Sequence, residues 1–343
     1  MAFLRCCGFT LLLVLIFISG CGEDHSASAS GNVSSSADSQ PAIPSPGQFE
    51  AVGPALRIDA NRAWQYVKEI IALGPRWDGS PGQKKLGAYL HSKLKNVDVE
   101  EDAFVSETPA GKIPMRNIVA KFTGTKDGII VLGSHIDTNY PLRDTTFIGA
   151  NDGASSTALL LAIADQLRGR KLEGYSVWLA FLDGEESIPS SRPGDLRWDD
   201  NQSLYGSRHL ARKWQQDGTS KKVKAFILLD MIGDKDLDVL RDTNSTPWLE
   251  DLVGEAARRL GYQSYFFELT GGVEDDHTPF AQVGIPVADV IDIDYGYRNS
   301  FHHTTQDTLD KLSPNSLQVA GNVVLETIRL VNGRKDSSAP NAR

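Results

Sequence analysis

Ile129-Ile-Val-Leu-Gly-Ser-His135-Ile-Asp137 and Val177-Trp-Leu-Ala-Phe-Leu-Asp183-Gly-Glu185-Glu186 are the stretches on which the fold turns. Each is an apolar run of strand length that ends abruptly in charged groups. Between them, Ala154 to Leu167 crowds Leu159, Leu160, Leu161 and Ile163 together and predicts a largely buried helix.

The alternation extends in both directions. Arg62 to Leu73 and Gln83 to Leu94 have helical spacing of apolar residues, separated by Gly74-Pro75 and Gly79-Ser80-Pro81-Gly82. Ile118 to Phe122 reads as a strand, as does Ile129 to Gly133 within the first stretch. Ser176 to Leu182 and Ala225 to Leu229 are of strand length, and Gly284 to Ile293 contains another strand. Pro247 to Leu260 is amphipathic at helical spacing. Ser313-Pro314 opens a last helix with Leu317, Ala320, Val324 and Ile328 on one side and Gly333 beyond its end. Strands alternating with helices predict an α/β fold, a three-layer sandwich whose mixed, mostly parallel central sheet is flanked by helices.

The chain has 343 residues, with 35 basic and 44 acidic side chains and a net charge of −9. That balance argues against nucleic acid or an anionic membrane surface as the partner. The composition excludes a collagenous, coiled-coil or wholly disordered chain. Three cysteines cannot make a disulfide-rich scaffold, and Cys6, Cys7 and Cys21 all precede the body. Arg5, the apolar run Leu11 to Ile18 and the small residues after it have the makeup of an export signal. Ile18-Ser19-Gly20-Cys21 resembles a bacterial lipobox, in which Cys21 is lipidated and becomes the new N-terminus. The expected organisation is a lipoprotein signal peptide over 1–20 and a Ser/Ala/Pro-rich tether over 21–49. A catalytic domain over 50–334 and a frayed tail over 335–343 follow. The protein is expected in the bacterial cell envelope, as a monomer or weak oligomer held to the membrane only through its lipid.

Polar residues gather just past the carboxyl ends of the apolar runs, where open α/β sheets bind ligands. His135 and Asp137, Asp152, Glu185 and Glu186, Asp230, and His302 with His303 occupy such positions. Singly each has an ordinary explanation; Asp152 before a helix is most often a cap. Together, each ending a different run, they are hard to explain as stability. Carboxylates with imidazoles suit Zn²⁺. Five such groups fit two bridged metals, or one metal with the remainder carrying protons. Glu185, beside Glu186, is a spare carboxylate placed to act as general base.

His135-Ile-Asp137, Asn151-Asp152-Gly153, Asp183-Gly-Glu185-Glu186, Asp230 and His303-Thr304 resemble, in order, the motifs of the M28-type zinc aminopeptidases. The resemblance covers roughly Arg62 to Val331. It implies His135, Asp152, Glu186, Asp230 and His303 as metal ligands, Glu185 as general base, and Asp137 orienting His135. Within that group the chain is more similar to the glutaminyl cyclases. Ser203-Leu-Tyr-Gly-Ser-Arg-His-Leu-Ala211 with Trp198 before it, Leu228-Leu-Asp-Met-Ile-Gly233, and Glu274-Asp-Asp-His-Thr-Pro-Phe280 carry that likeness. It implies one zinc held by Asp152, Glu186 and His303. Glu185, Asp230 and Asp275 would then share protons, and Trp198 would wall the substrate side chain. The implied substrate is a peptide or protein with a free N-terminal residue, Gln preferred, closed to pyroglutamate with loss of ammonia.

Three departures bear on the pocket. His302 stands where animal cyclases have a Trp, Asp289 falls where they have another His, and the loop Ser187 to Asp200 is long. His302 is either a pocket residue or an exposed neighbour. His209 and His277 lie inside matched motifs and are expected to be structural. Three functions follow in order: a monozinc glutaminyl cyclase, a dizinc aminopeptidase in which Glu185 activates a metal-bound water, and a non-catalytic peptide-binding envelope protein.

Overall fold

The computed structural model describes residues 50–334; the expected signal peptide, Cys21 with its tether, and the tail at 335–343 lie outside them. The body starts with two helices whose ends are set by local chemistry. Asp59 accepts the N–H groups of Asn61 and Arg62 to open α1 (Ala60–Ile71). Ser80 accepts that of Gln83 to open α2 (Pro81–Lys93), with Pro81 in the first turn.

Six strands form the central sheet. They are β1 (Asp98–Thr108), β2 (Gly111–Phe122), β3 (Gly124–His135), β4 (Leu172–Leu182), β5 (Val223–Asp230) and β8 (Val287–Ile291), in the order β1-β2-β4-β3-β5-β8. β4, β3, β5 and β8 are parallel, and β1–β2 is an antiparallel hairpin whose β2 runs antiparallel to β4. The expected mixed, mostly parallel sheet is therefore found. The register brings His135 beside Leu182 and Asp230 beside Ile291, so the charged ends of β3, β4 and β5 share one sheet edge.

Helices cover both faces. α1, α2, α3 (Ala154–Leu167), α5 (Pro247–Leu260) and α7 (Pro314–Gly333) contribute Val67, Leu86, Leu160, Val253 and Val324 to the larger core. α4 (Tyr205–Asp217) and α6 (His277–Gln282) cover the other face, where Phe280 stacks on Phe226 at 4.1 Å and Trp214 packs on Phe280. Burying each of these rings contributes about 2–3 kcal/mol. A small parallel pair, β6 (Val239–Asp242) and β7 (Phe266–Gly271), stands outside the main sheet. Among the described residues no helix is long and apolar enough to cross a membrane.

β1, β6, β7, α4 and α6 lack an expectation from sequence. β1 reads Asp-Val-Glu-Glu-Asp-Ala-Phe-Val-Ser-Glu-Thr because it is an edge strand, and edge strands carry charge that discourages further pairing. Gly333 lies inside the last turn of α7 rather than beyond it.

Candidate active site

The end of β3 and the start of α3 set the centre. Asp152 does not cap α3. The cap position is Gly153, which makes no side-chain bond, and the Asp152 carboxylate turns toward two histidines. His135 Nε2 lies 3.2 Å from Asp152 Oδ1 and 3.2 Å from Asp230 Oδ1. His303 Nε2 lies 3.4 Å from Asp152 Oδ2 and 3.2 Å from Glu186 Oε2. Asp152 therefore stands between the two imidazoles. Gly153 is required here: its φ is +81°, and a Cβ would fall 2.7 Å from the Asp137 carbonyl oxygen and 3.1 Å from the His135 ring.

Backbone strain recurs at the same place. Met231, next to Asp230, has φ +46° and His303 has φ +50°. Side chains rarely adopt this left-handed region outside sites that hold them there.

Asp137 is buried, 3.5 Å from His135 Nδ1, and accepts the N–H groups of Glu185 and Glu186 through its two oxygens. Asn139 donates to Glu186 Oε2 at 2.8 Å. Asp152 Oδ2 and Glu186 Oε1 have no hydrogen-bond partner although both atoms are buried. Buried polar atoms are almost always satisfied, so paired orphans beside His303 fit a bound cation. Two groups of ligand atoms come within 4.8 Å of one another: His135, Asp152 and Asp230, and Asp152, His302 and His303. A buried His/Asp/Asp group able to hold a metal is thus present.

In front of these groups lies a cleft of about 380 Å³, lined by Asp152, Glu185, Trp198, Asp230, Asp275 and His303 among others. His302 also lines it, its ring 4.0 Å from that of His303. Asp289 is wholly buried and is not among the lining residues, so the expected pocket difference at this position lies behind the wall. A larger groove of about 610 Å³ runs between α2 and β1–β2, but it collects no comparable set of ligand groups.

The electrostatics follow from burying acids together. Burial, with Asp275 and Glu186 nearby, pushes the Glu185 carboxyl well above its usual range despite His135. Burial and the charges of Asp230 and Asp276 raise Asp275 likewise. Burial lifts Glu186 to about 7, with His303 opposing. Burial works against charging His303, but Glu186 and Asp152 outweigh it and raise the imidazole to about 9. Burial also disfavours ionised Asp152, yet His135 and His303 hold it well below the usual carboxylate range. Carboxyls held above their usual range beside one held below it are the pattern that separates acid from base roles.

Two residues absent from the sequence reading hold the site. Arg76 is fully buried and donates to the carbonyls of Ile136, Ile148 and Gly149, fixing the approach to both His135 and Asp152. Asp307 is buried and accepts the N–H groups of Asn151 and Asp152 and the hydroxyl of Tyr295. Gly74-Pro75-Arg76 reads only as a helix break, and Asp307 only as one acid in a polar loop.

The model of peptidase family M28 matches residues 117–328. The chain belongs to peptidase family M28. In this M28 chain the matched region begins inside β2 and takes in every ligand candidate. The chain is 30% identical over 288 residues to the glutaminyl-peptide cyclotransferase-like protein of Bos taurus, covering 75% of this chain and 72% of that protein. The crystal structure of Acidobacteriales bacterium glutaminyl cyclase superposes with a TM-score of 0.78 at 49% identity, over 85% of this chain and 99% of that one. A Zn-dependent exopeptidase from Parabacteroides distasonis superposes with a TM-score of 0.71 at 27% identity, over 80% and 99% respectively. These M28 likenesses extend over the body, and the fold is that of the zinc-exopeptidase-like cyclases.

Proposed function

We propose that the protein is a zinc-dependent glutaminyl-peptide cyclotransferase, converting N-terminal glutamine of peptides or proteins to pyroglutamate with release of ammonia. The observation that carries this reading is a further carboxyl in the cleft, that of Asp275. Asp275 faces the same space as Glu185 and Asp230, which gives a chain of acids rather than one base. The cyclotransferase relatives support it over the length of the body.

Asp152, Glu186 and His303 would hold the zinc. A zinc ion there supplies Lewis-acid polarisation of the γ-carboxamide. Glu185 takes a proton from the α-amine as its nitrogen bonds to the carbonyl carbon (Cδ) of the side-chain carboxamide. As the Cδ–Nε2 bond breaks, Glu185 returns that proton to the departing ammonia. Asp230 and Asp275, which line the same cleft, pass protons to and from Glu185. Trp198, partly exposed with its indole N–H on Asp200, gives the glutaminyl side chain an apolar wall, and His302 lines the same cleft. Asp137 orients the Glu185–Glu186 backbone.

A second reading, an M28 aminopeptidase with two zincs, is favoured by the His135, Asp152 and Asp230 group. Incubation with a Gln-initiated peptide separates them. Loss of the mass of one ammonia with the chain intact supports cyclisation; release of free N-terminal amino acids from varied peptides overturns it.

Export with lipidation at Cys21 is part of the same proposal, and it places the enzyme on the bacterial cell envelope as a monomer or weak oligomer. It rests on Ile18-Ser19-Gly20-Cys21. Metabolic labelling with a fatty acid, lost in Cys21→Ala, tests it.

A further inference from the structure

His277 opens α6 and is wholly buried, yet neither of its ring nitrogens has a hydrogen-bond partner in good alignment. It sits between two carboxylates: Nε2 lies 3.2 Å from Asp242 Oδ2, and Nδ1 lies 3.5 Å from Asp289 Oδ2. Buried carboxylates demand compensation, and His277 stands where it meets both, tying β6 to β8.

Asp242, at the end of β6, gathers the neighbouring loops. Its Oδ1 accepts the N–H of Val273 at 3.0 Å, and its Oδ2 accepts the Ser245 hydroxyl at 2.7 Å. Ser245 Oγ in turn accepts the N–H of Asp289 in β8 at 2.9 Å. The loop that starts at Val273 and ends at His277 is thereby held at both ends by one carboxylate. That loop carries Asp275 into the cleft. Asp275 Oδ1 accepts the N–H of Asp276, the residue directly before His277, while Asp275 Oδ2 stays buried without a partner. Moving His277 therefore moves the N–H that aims the Asp275 carboxyl.

We infer that His277, clamped between Asp242 and Asp289, is a positioning residue for catalysis: it fixes Asp275 in the cleft and acts on turnover only through it. This rests on the cyclotransferase reading, and it gives the small β6–β7 sheet a function as a buttress behind the site.

The test is a double-mutant cycle on the full protein with a Gln-initiated peptide. His277→Asn is expected to lower kcat about 10- to 100-fold, as a displaced catalytic group does, with KM changed less than about twofold. In an Asp275→Asn background the same change is expected to cost nothing further. Multiplying losses, or an unchanged kcat in folded His277→Asn, overturns the inference while leaving cyclase activity of the unmodified chain intact. If His277→Asn does not fold, Ser245→Ala replaces it in the cycle, because it loosens the clamp without unpairing a charge. An expected fall in kcat of about 2- to 10-fold, again absent in the Asp275→Asn background, supports the inference; a folded Ser245→Ala with unchanged kcat overturns it. An unmodified chain that cyclises no Gln peptide overturns both this inference and the reading beneath it.

Discussion

Asp137 accepts two successive backbone N–H groups, that of Glu185 at 3.2 Å through Oδ1 and that of Glu186 at 3.1 Å through Oδ2. One buried carboxylate so sets the direction in which the proposed base and a proposed metal ligand leave β4. Asp137→Asn replaces one acceptor with a donor and leaves a buried N–H unpaired. The expected result is a loss of about 1–3 kcal/mol in stability with kcat reduced more than about tenfold. Chemical denaturation and cyclisation rates check it, and an unchanged kcat in the folded variant contradicts the role.

Base and ligand functions separate by metal content. Glu185→Gln is expected to abolish turnover while retaining zinc, because Glu185 is placed on the cleft wall and not in the ligand set. Asp152→Ala and His303→Ala are expected to lose the metal. Elemental analysis of the purified variants decides: zinc lost from Glu185→Gln, or kept in the other two, refutes the assignments.

Arg76 is a stability determinant of the site. Its guanidinium donates to three carbonyls, at 3.2, 2.8 and 2.9 Å, and burial lowers its pKa to about 10. Arg76→Met leaves those carbonyls without partners in a closed interior. The expected cost is at least about 3 kcal/mol, together with weaker zinc retention, since the carbonyls flank the loop leading to Asp152. A denaturation midpoint equal to that of the parent protein argues against this.

Glu250 gives a pH dependence remote from the cleft. It is buried in α5, both its oxygens lack partners, and burial raises its carboxyl to about 8, with Arg241 opposing. In the unfolded chain a glutamate titrates near about 4.3. Its contribution is therefore fully present below that pH and is lost as pH rises through about 8, because the folded state must then give up a proton it holds tightly. Between pH values of about 5 and 8 the unfolding free energy of Glu250→Gln, taken from melting curves, is expected to fall less than that of the parent, by a difference on the order of a few kcal/mol. Parallel melting curves across that window would show that Glu250 ionises in the folded state as readily as outside it.

Much of the body was legible in sequence because its central strands are buried on both faces and therefore read as unbroken apolar runs. Ala154 to Leu167 and Pro247 to Leu260 matched α3 and α5 residue for residue. The edge strand β1 and the outlying β7 were illegible for the opposite reason: water on one side leaves charge where a strand pattern expects apolar residues; β6 is mostly buried but only four residues long. α4 was hidden because Leu210, Ala211 and Trp214 form a narrow apolar stripe in a polar helix.

The sequence by itself determined which polar residues meet at the candidate site, since a sheet's carboxyl edge concentrates whatever ends each strand. It named Asp152, Glu185, Glu186, Asp230 and His303 without any coordinates. Only the tertiary structure decided that Asp152 faces two histidines instead of capping α3, and that Asp289 stands behind the cleft wall. It also showed that Arg76 and Asp307 hold the site from outside any motif, and that His277, inside the Glu-Asp-Asp-His stretch, stands between two buried carboxylates. A cap and a ligand look alike in sequence because they differ only in which way a short carboxylate turns. That direction is fixed by partners on other elements, His135 at the end of β3 and His303 more than a hundred residues further on.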